Sequence, residues 1–413
     1  MLKRITGTKD ILPQEIVLWQ DIETKSRNKF CLYNYQEIRP PLVEDAALFN
    51  RSLGESTEIV RKQMFLVRNQ KELYALRPEG TASIVRAYIE NNLDKTNGFV
   101  KLYYIGPMFR LERPQMGRLR QFHHIGCEVI GSADPGVDVE VISLADTLLE
   151  SFGVSGYKIK LNTLGCLNDK KSLTESLRKA LKDKIPKLCD DCKQRFKTNV
   201  LRVLDCKNET CVAIVKKLDM HKDYLCIDCQ THFSKVLEGL DALGIAYEIT
   251  PHLVRGLDYY TRTVFEISHS DLGAQDALGA GGRYDDLMHQ LGGPELGAMG
   301  FAFGVERLLL VAKSPAQQAT NKNLAYVIAL GDEARKESLK LLANLRKNGI
   351  AADTDYENKS LKGAMRRAND LEAKFTLIIG DNELKNNVIT LKNMASGEQK
   401  EVIFENITGE LKC

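Results

Sequence analysis

The chain has 413 residues, 43% of them hydrophobic and 27% charged, with 30 glycines and 11 prolines, which excludes a disulfide-stapled miniprotein, a collagenous repeat and bulk disorder. Its 58 Lys and Arg against 55 Asp and Glu leave a net charge of +3, so it is no nucleic-acid coat and any such contact must use local patches. The longest apolar stretch, 296–312, carries Glu306 and Arg307 in its middle, which argues against a membrane span. No apolar run follows Lys3 and Arg4, so no secretory signal is expected and the expected location is cytoplasmic.

In chain order, the first strong signal is 101–131, two strands joined by a short polar loop and expected to pair antiparallel. Alternation puts Arg110 and Glu112 on one face of the first strand and Phe122, His124 and Glu128 on one face of the second, while the loop adds Arg113, Arg118 and Arg120. Arginine forks grip phosphate oxygens and an aromatic face can stack a purine; the alternative is an exposed hairpin with weak surface ion pairs.

Residues 167–225, dense in Lys and Cys, read as an insertion. Six of the ten cysteines crowd into Cys189, Cys192, Cys206, Cys211, Cys226 and Cys229, which in a reducing compartment points to metal or free thiols before disulfides. The two CxxC pairs, Cys189 with Cys192 and Cys226 with Cys229, form the candidate structural zinc set, Cys206 and Cys211 being further candidates and free thiols the alternative.

Segment 253–266 (LVRGLDYYTRTVFE) can line a polar pocket on a sheet or form a sheet edge with surface tyrosines. In 279–293 the glycines suit either close approach to a ligand or tight turns; Tyr284 stands where a GxGxxG fingerprint needs its last glycine, and no GxxxxGK[ST] loop occurs. In 300–310 (GFAFGVERLLL) a buried Arg307 calls for a partner or an anionic ligand. Residues 313–323 lack any large apolar side chain and read as a linker. Beyond it, a strand at 324–330, a helix at 332–347 with Ala334, Leu341, Leu342 and Leu345 on one face, a helix at 361–373 and strands at 375–379, 388–391 and 401–404 predict a separate α/β domain with a mixed sheet.

Together these segments resemble the class II aminoacyl-tRNA synthetases, and among them the histidyl-tRNA synthetase family, over nearly the whole chain. RITGTKDILPQE (4–15) is similar to the family's opening, residues 37–57 with Pro41 to motif 1, 76–87 (LRPEGTASIVRA) to the segment that reads the histidine amino group, 100–131 to motif 2 and 296–312 to motif 3. LVRGLDYYTRTVFE and GGRYDDLMHQLGG resemble the two histidine-specific motifs.

The resemblance implies an α/β (α+β) fold. Residues 1–312 would form a catalytic domain with an antiparallel sheet and flanking helices, 167–225 an insertion within it that contacts tRNA, and 324–413 an anticodon-binding domain. It implies ATP-dependent activation of L-histidine and transfer to histidine tRNA by a homodimer, with ATP as a substrate accompanied by Mg²⁺ and no membrane partner; a catalytically inactive regulatory subunit is the alternative. Arg255 and Arg110 would be catalytic. Histidine would be held by Glu79, Gly80, Thr81, Arg110, His124, Glu128, Arg255, Tyr259, Tyr260 and Tyr284, and ATP by Arg110, Glu112, Arg118, Phe122 and Arg307. The family usually reads Phe-His-Gln where this chain has Phe122, His123 and His124, so an imidazole stands where the glutamine touches substrate. A histidine titrating near 6.5 there would weaken histidine binding as pH falls from about 8 to 6.

Overall fold

The computed structural model describes residues 2–55, 57–96, 98–218, 222–273, 276–313 and 324–411. The expected linker lies, from residue 314 onward, outside them. The chain divides into two compact units, Met1–Ala316 and Gln317–Cys413. No helix among the described residues is long and apolar enough to cross a membrane.

The first unit contains, in chain order, β1 (Gln36–Glu37), β2 (Val43–Asp45), β3 (Phe65–Asn69), β4 (Glu72–Leu76), β5 (Val100–Phe109), β6 (Gln121–Ile130), β7 (Lys158–Thr163), β8 (Glu248–Ile249), β9 (Thr261–Ser268), β10 (Ala277–Arg283) and β11 (Ala298–Gly304). Eight of them form one sheet in the order β1-β5-β6-β11-β10-β9-β7-β8, antiparallel from β5 to β7 with short parallel edges. β2, β4 and β3 make a separate antiparallel sheet.

Helix Pro13–Leu32 starts with proline at its first turn, where a missing N–H costs nothing, and buries Trp19, Ile22, Ser26 and Phe30 on one stripe. That stripe and helix Pro135–Ser151 close one face of the large sheet around Phe265, Phe301 and Phe303. Side-chain alternation along 300–304 separates two environments: Phe301 and Phe303 go into this core, while Gly300, Ala302 and Gly304 face the other side. The glycines of 279–282 are strand residues rather than a loop, because β10 runs against β11 through them. A Cβ at Gly281 would collide with the Gly300 carbonyl and Phe265.

The end of β10 is clamped by Arg283, fully buried, which pairs with Asp138 and with Asp285 (3.1 Å) and donates to the Ser132 carbonyl (2.6 Å). Asp138 also accepts from His232 at 2.8 Å. Removing one partner from such a buried network typically costs about 3–5 kcal/mol.

Between β7 and helix Ile227–Ala242 lies the Cys-rich stretch, with helices Leu167–Leu181, Asp190–Thr198 and Glu209–Val215 around a small core of Leu181, Val203 and Val215. The second unit has β12 (Ala325–Ala329), β13 (Ala352–Thr354), β14 (Phe375–Ile379), β15 (Val388–Asn393) and β16 (Gln399–Ile403), in the order β13-β12-β14-β15-β16. Its first three strands are parallel and its last two antiparallel, a mixed sheet whose core includes all four apolar positions expected on helix Asp332–Lys347. β13 is too short to register as a pattern in the sequence.

Candidate active site

A cavity of about 420 Å³ opens on the glycine and alanine face of β11, within the size range of small-molecule sites. Gly300, Ala302 and Gly304 form part of its floor, so ligand atoms can approach the sheet itself. Glu79, Thr81, Arg110, Glu112, Arg118, Phe122, His124, Arg255, Tyr259, Tyr260, Tyr284 and Arg307 all line this one cavity although they are spread over more than half the chain. Gly80 and Glu128 are absent from the lining and stand behind the wall.

Arg110 and Glu112 do not share a strand face as expected. β5 ends at Phe109, and a 2.8 Å bond from the Glu112 N–H to the Arg110 carbonyl kinks the chain, which then reverses at Gln115–Arg118 with Gly117 at φ +68°. Both side chains reach the cavity from this loop. Arg110 donates through Nε to the Pro78 carbonyl (2.9 Å), and its guanidinium lies 5.2 Å from the centroid of the Phe122 ring, a cation–π contact on an aromatic face expected to stack a purine. Arg118 pairs with Glu112 at 2.5 Å. Arg307 donates to the backbone carbonyls of Gly117 (3.0 Å) and Ala277 (2.5 Å), joining loop, sheet and the start of helix Val305–Val311. Arg255 pairs with Glu266 at 2.5 Å, and its buried Nε has no hydrogen-bond partner among the described residues, leaving a donor available to a ligand.

Behind the opposite wall Glu128 accepts from the Tyr284 hydroxyl (2.5 Å) and the Thr81 hydroxyl (2.7 Å). Thr81 and Tyr284, which line the cavity, thus stand between this carboxylate and the open space. A Cβ at Gly300 would fall onto its carboxylate, which explains glycine at that position. Burial raises the Glu128 carboxyl to about 8; the bonds from Tyr284 and Thr81 oppose the rise and the charge of Glu79 adds to it. Glu79 accepts from the N–H groups of Thr81 (2.6 Å) and Ala82 (2.9 Å), capping helix Thr81–Glu90, and burial raises its carboxyl too. Tyr259 packs against Tyr260 (4.7 Å between centroids) and edge-on to Tyr284 (5.7 Å).

His124 does not behave as an unperturbed imidazole. Burial first, then the cations of Arg110 and Arg77, push it well below the usual histidine range, so it stays neutral where titration was expected. Its Nδ1 is buried with no partner among the described residues, an atom open to a ligand hydrogen bond.

The candidate zinc set is divided by the structure. Cys189 and Cys192 join Cys206 and Cys211, whereas Cys226 and Cys229 join Cys166 and Asp169, because Cys189 and Cys226 begin different helices. The two CxxC pairs therefore do not close one site. The insertion also contributes cavity residues that the sequence did not single out: Arg195, Arg202, Asp205 and Lys207. Arg195 is held by Glu58 at 2.7 Å and Arg202 by the Gly256 carbonyl at 3.2 Å. The only available signal was the basic character of Arg195, Arg202 and Lys207 between cysteines; Asp205 offered none.

An antiparallel sheet with short parallel edges thus bears on one face a cavity lined by six arginines, Arg110, Arg118, Arg195, Arg202, Arg255 and Arg307, a setting suited to an anionic ligand. A model of the histidyl-tRNA synthetases matches residues 7–308, and one described as an anticodon binding domain matches 324–413. The histidine–tRNA ligase of Natranaerobius thermophilus is 45% identical over 417 residues, covering 100% of this chain and 99% of the relative. That of Thermodesulfovibrio yellowstonii is 46% identical over 98% of this chain and 96% of its own. The crystal structure of apo histidyl-tRNA synthetase from S. aureus superposes with a TM-score of 0.81 at 36% identity, covering both chains completely. The chain belongs to the histidyl-tRNA synthetase family.

Proposed function

We propose that the cavity binds L-histidine and ATP side by side, joins them as histidyl-adenylate and transfers the histidyl group to histidine tRNA. The enzyme is a ligase. A carboxylate oxygen of histidine bonds to the α-phosphorus as the bond to pyrophosphate breaks; a hydroxyl of the terminal tRNA ribose then takes the acyl group and AMP leaves. Both reactants of the first step are anionic, so the rate depends on cations fixed beforehand around the phosphate.

Arg255 and Arg110 act at the α-phosphate, Arg118 and Arg307 hold the outer phosphates of ATP, which enters with its Mg²⁺, and Glu112 and Phe122 receive the adenine end. Glu79, Thr81, His124, Tyr259, Tyr260 and Tyr284 surround histidine, with Gly80 and Glu128 positioning them from behind. The observation that carries this reading is the meeting of Arg110, Arg118, Arg255 and Arg307 in one cavity with the hydroxyls of Thr81 and Tyr284, which Glu128 orients. A regulatory subunit has no need of such a set.

Residues 324–413 serve as the anticodon-binding domain and 167–225 as an insertion facing the tRNA. The working form is a cytoplasmic homodimer: Val43 and Val67, on one face of the small sheet beside Pro41, are 48% and 49% exposed, and Leu66 on its other face 51%, apolar side chains that a second copy would cover. The test is histidine-dependent exchange of pyrophosphate into ATP, followed by charging of an unfractionated tRNA pool, with sedimentation for the dimer. Absence of exchange with histidine alone among the amino acids would overturn the enzyme reading.

A further inference from the structure

We infer that Cys189, Cys192, Cys206 and Cys211 form a structural site for one zinc ion, and that the metal fixes the wall that the insertion contributes to the catalytic cavity. The ligand atoms of these four side chains all lie within 4.8 Å of one another, three of the residues buried and Cys189 half-buried. Zinc holds four thiolates at about 2.3 Å in a tetrahedron, whose edge is then about 3.8 Å. The Cys189 and Cys206 sulfurs stand at 3.8 Å, the spacing of ligands around a shared ion and far too long for a disulfide.

Backbone N–H groups already point at the sulfurs, as they do when thiolates need outer support: Cys189 N–H donates to Cys211 Sγ at 3.2 Å and Asn208 N–H to Cys206 Sγ at 3.4 Å. The chain directions fit as well. Cys189 and Cys192 flank the first turn of helix Asp190–Thr198, and Cys211 lies in the first turn of helix Glu209–Val215, whose N-terminus Asn208 caps. Apart from the cysteines, the stretch they staple is held by a small core of seven buried leucines and valines. Cys192 is the one buried residue of helix Asp190–Thr198, and a segment of this size with so small a core ordinarily needs a metal or cross-link.

The neighbouring cluster of Cys166, Asp169, Cys226 and Cys229 differs in the respect that matters. Its carboxylate is occupied: Asp169 accepts from the N–H groups of Cys226 (3.1 Å) and Cys166 (3.2 Å), and Cys226 is exposed. Hydrogen bonds close that cluster without an ion.

The cavity residues follow directly from the four sulfurs. Arg195 is one helical turn beyond Cys192, and Asp205 and Lys207 flank Cys206, so an ion binding these cysteines sets where all three enter the cavity.

Full-length protein purified without chelator should contain about one zinc per chain, and X-ray absorption at the zinc edge should show four sulfur neighbours at about 2.3 Å. Cys206→Ser and Cys211→Ser should lose the metal, whereas Cys226→Ser should retain it. A metal-free preparation whose melting temperature is unmoved by added zinc would overturn the site. So would a zinc with an oxygen neighbour that is lost in Cys226→Ser and kept in Cys206→Ser. The absorption measurement on unmodified protein decides the ligand set even if the serine variants fold poorly.

Discussion

Glu128→Gln tests whether the carboxyl behind Thr81 and Tyr284 is a neutral acid near pH 7. Folding raises Glu128 from 4.5 to about 8, chiefly because burial strips the carboxylate of water and Glu79 adds a like charge, a rise that the bonds from Tyr284 and Thr81 only partly offset. A raised carboxyl pKa means that the folded state holds the proton more tightly than the unfolded chain. The group therefore costs the fold nothing below about pH 4.5, costs progressively more as pH rises towards 8, and levels off above. At 1.36 kcal/mol per unit, the cost grows by about 2 kcal/mol between pH 6 and pH 8. Glutamine keeps the shape and can meet the hydroxyls of Thr81 and Tyr284 without ionising. Trp19, the sole tryptophan, is buried in the first unit, so urea unfolding followed by its fluorescence reports on that unit. The stability difference between Glu128→Gln and the parent should shift in the variant's favour by about 2 kcal/mol from pH 6 to 8, other titrating groups cancelling in the comparison. A difference constant over that range would refute the reasoning.

Arg255→Ala should slow adenylate formation by about 2–4 kcal/mol of barrier while leaving the KM for ATP within a few-fold, since a preorganised donor acts mainly on the transition state; near-normal pyrophosphate exchange would sink this. His124→Gln should show the same pH profile of KM for histidine as the parent between pH 6 and 8, because burial and Arg110 keep the imidazole neutral throughout; a steeper rise in the parent on acidification would mean that His124 titrates there after all. Truncation to residues 1–312 should preserve histidine-dependent exchange but reduce tRNA charging at least about tenfold, tRNA contacts being electrostatic and distributed. Unimpaired charging would remove the anticodon role from the second unit.

Much of this was legible because it is written locally. The helix at 332–347 is bounded by a glycine before its first residue and carries its apolar residues at helical spacing, so periodicity located it to the residue. Phe122 and His124 reach the cavity by strand alternation, as β6 is regular. Alternation failed at Glu112, where one short-range hydrogen bond outweighs strand geometry. The cysteine partition was illegible for another reason: spacing counts residues, whereas ligation depends on the directions of the helices that Cys189 and Cys226 begin. The placement of Glu128 behind Thr81 and Tyr284, and the neutral His124, depend on burial contributed by segments far away in sequence. No local pattern encodes that.

The arginines of the cavity are engaged before any substrate arrives: Arg255 on Glu266, Arg118 on Glu112, Arg110 on the Pro78 carbonyl and Arg307 on two more carbonyls. Binding a triphosphate is then an exchange of acceptors rather than the capture of an anion by idle cations. On the proposed function the guanidinium groups are oriented in advance, and incoming phosphates would gain only the difference between two sets of contacts. For an enzyme that releases pyrophosphate and AMP at every turnover, such internal acceptors would compete with each product for the same arginines and so favour its departure.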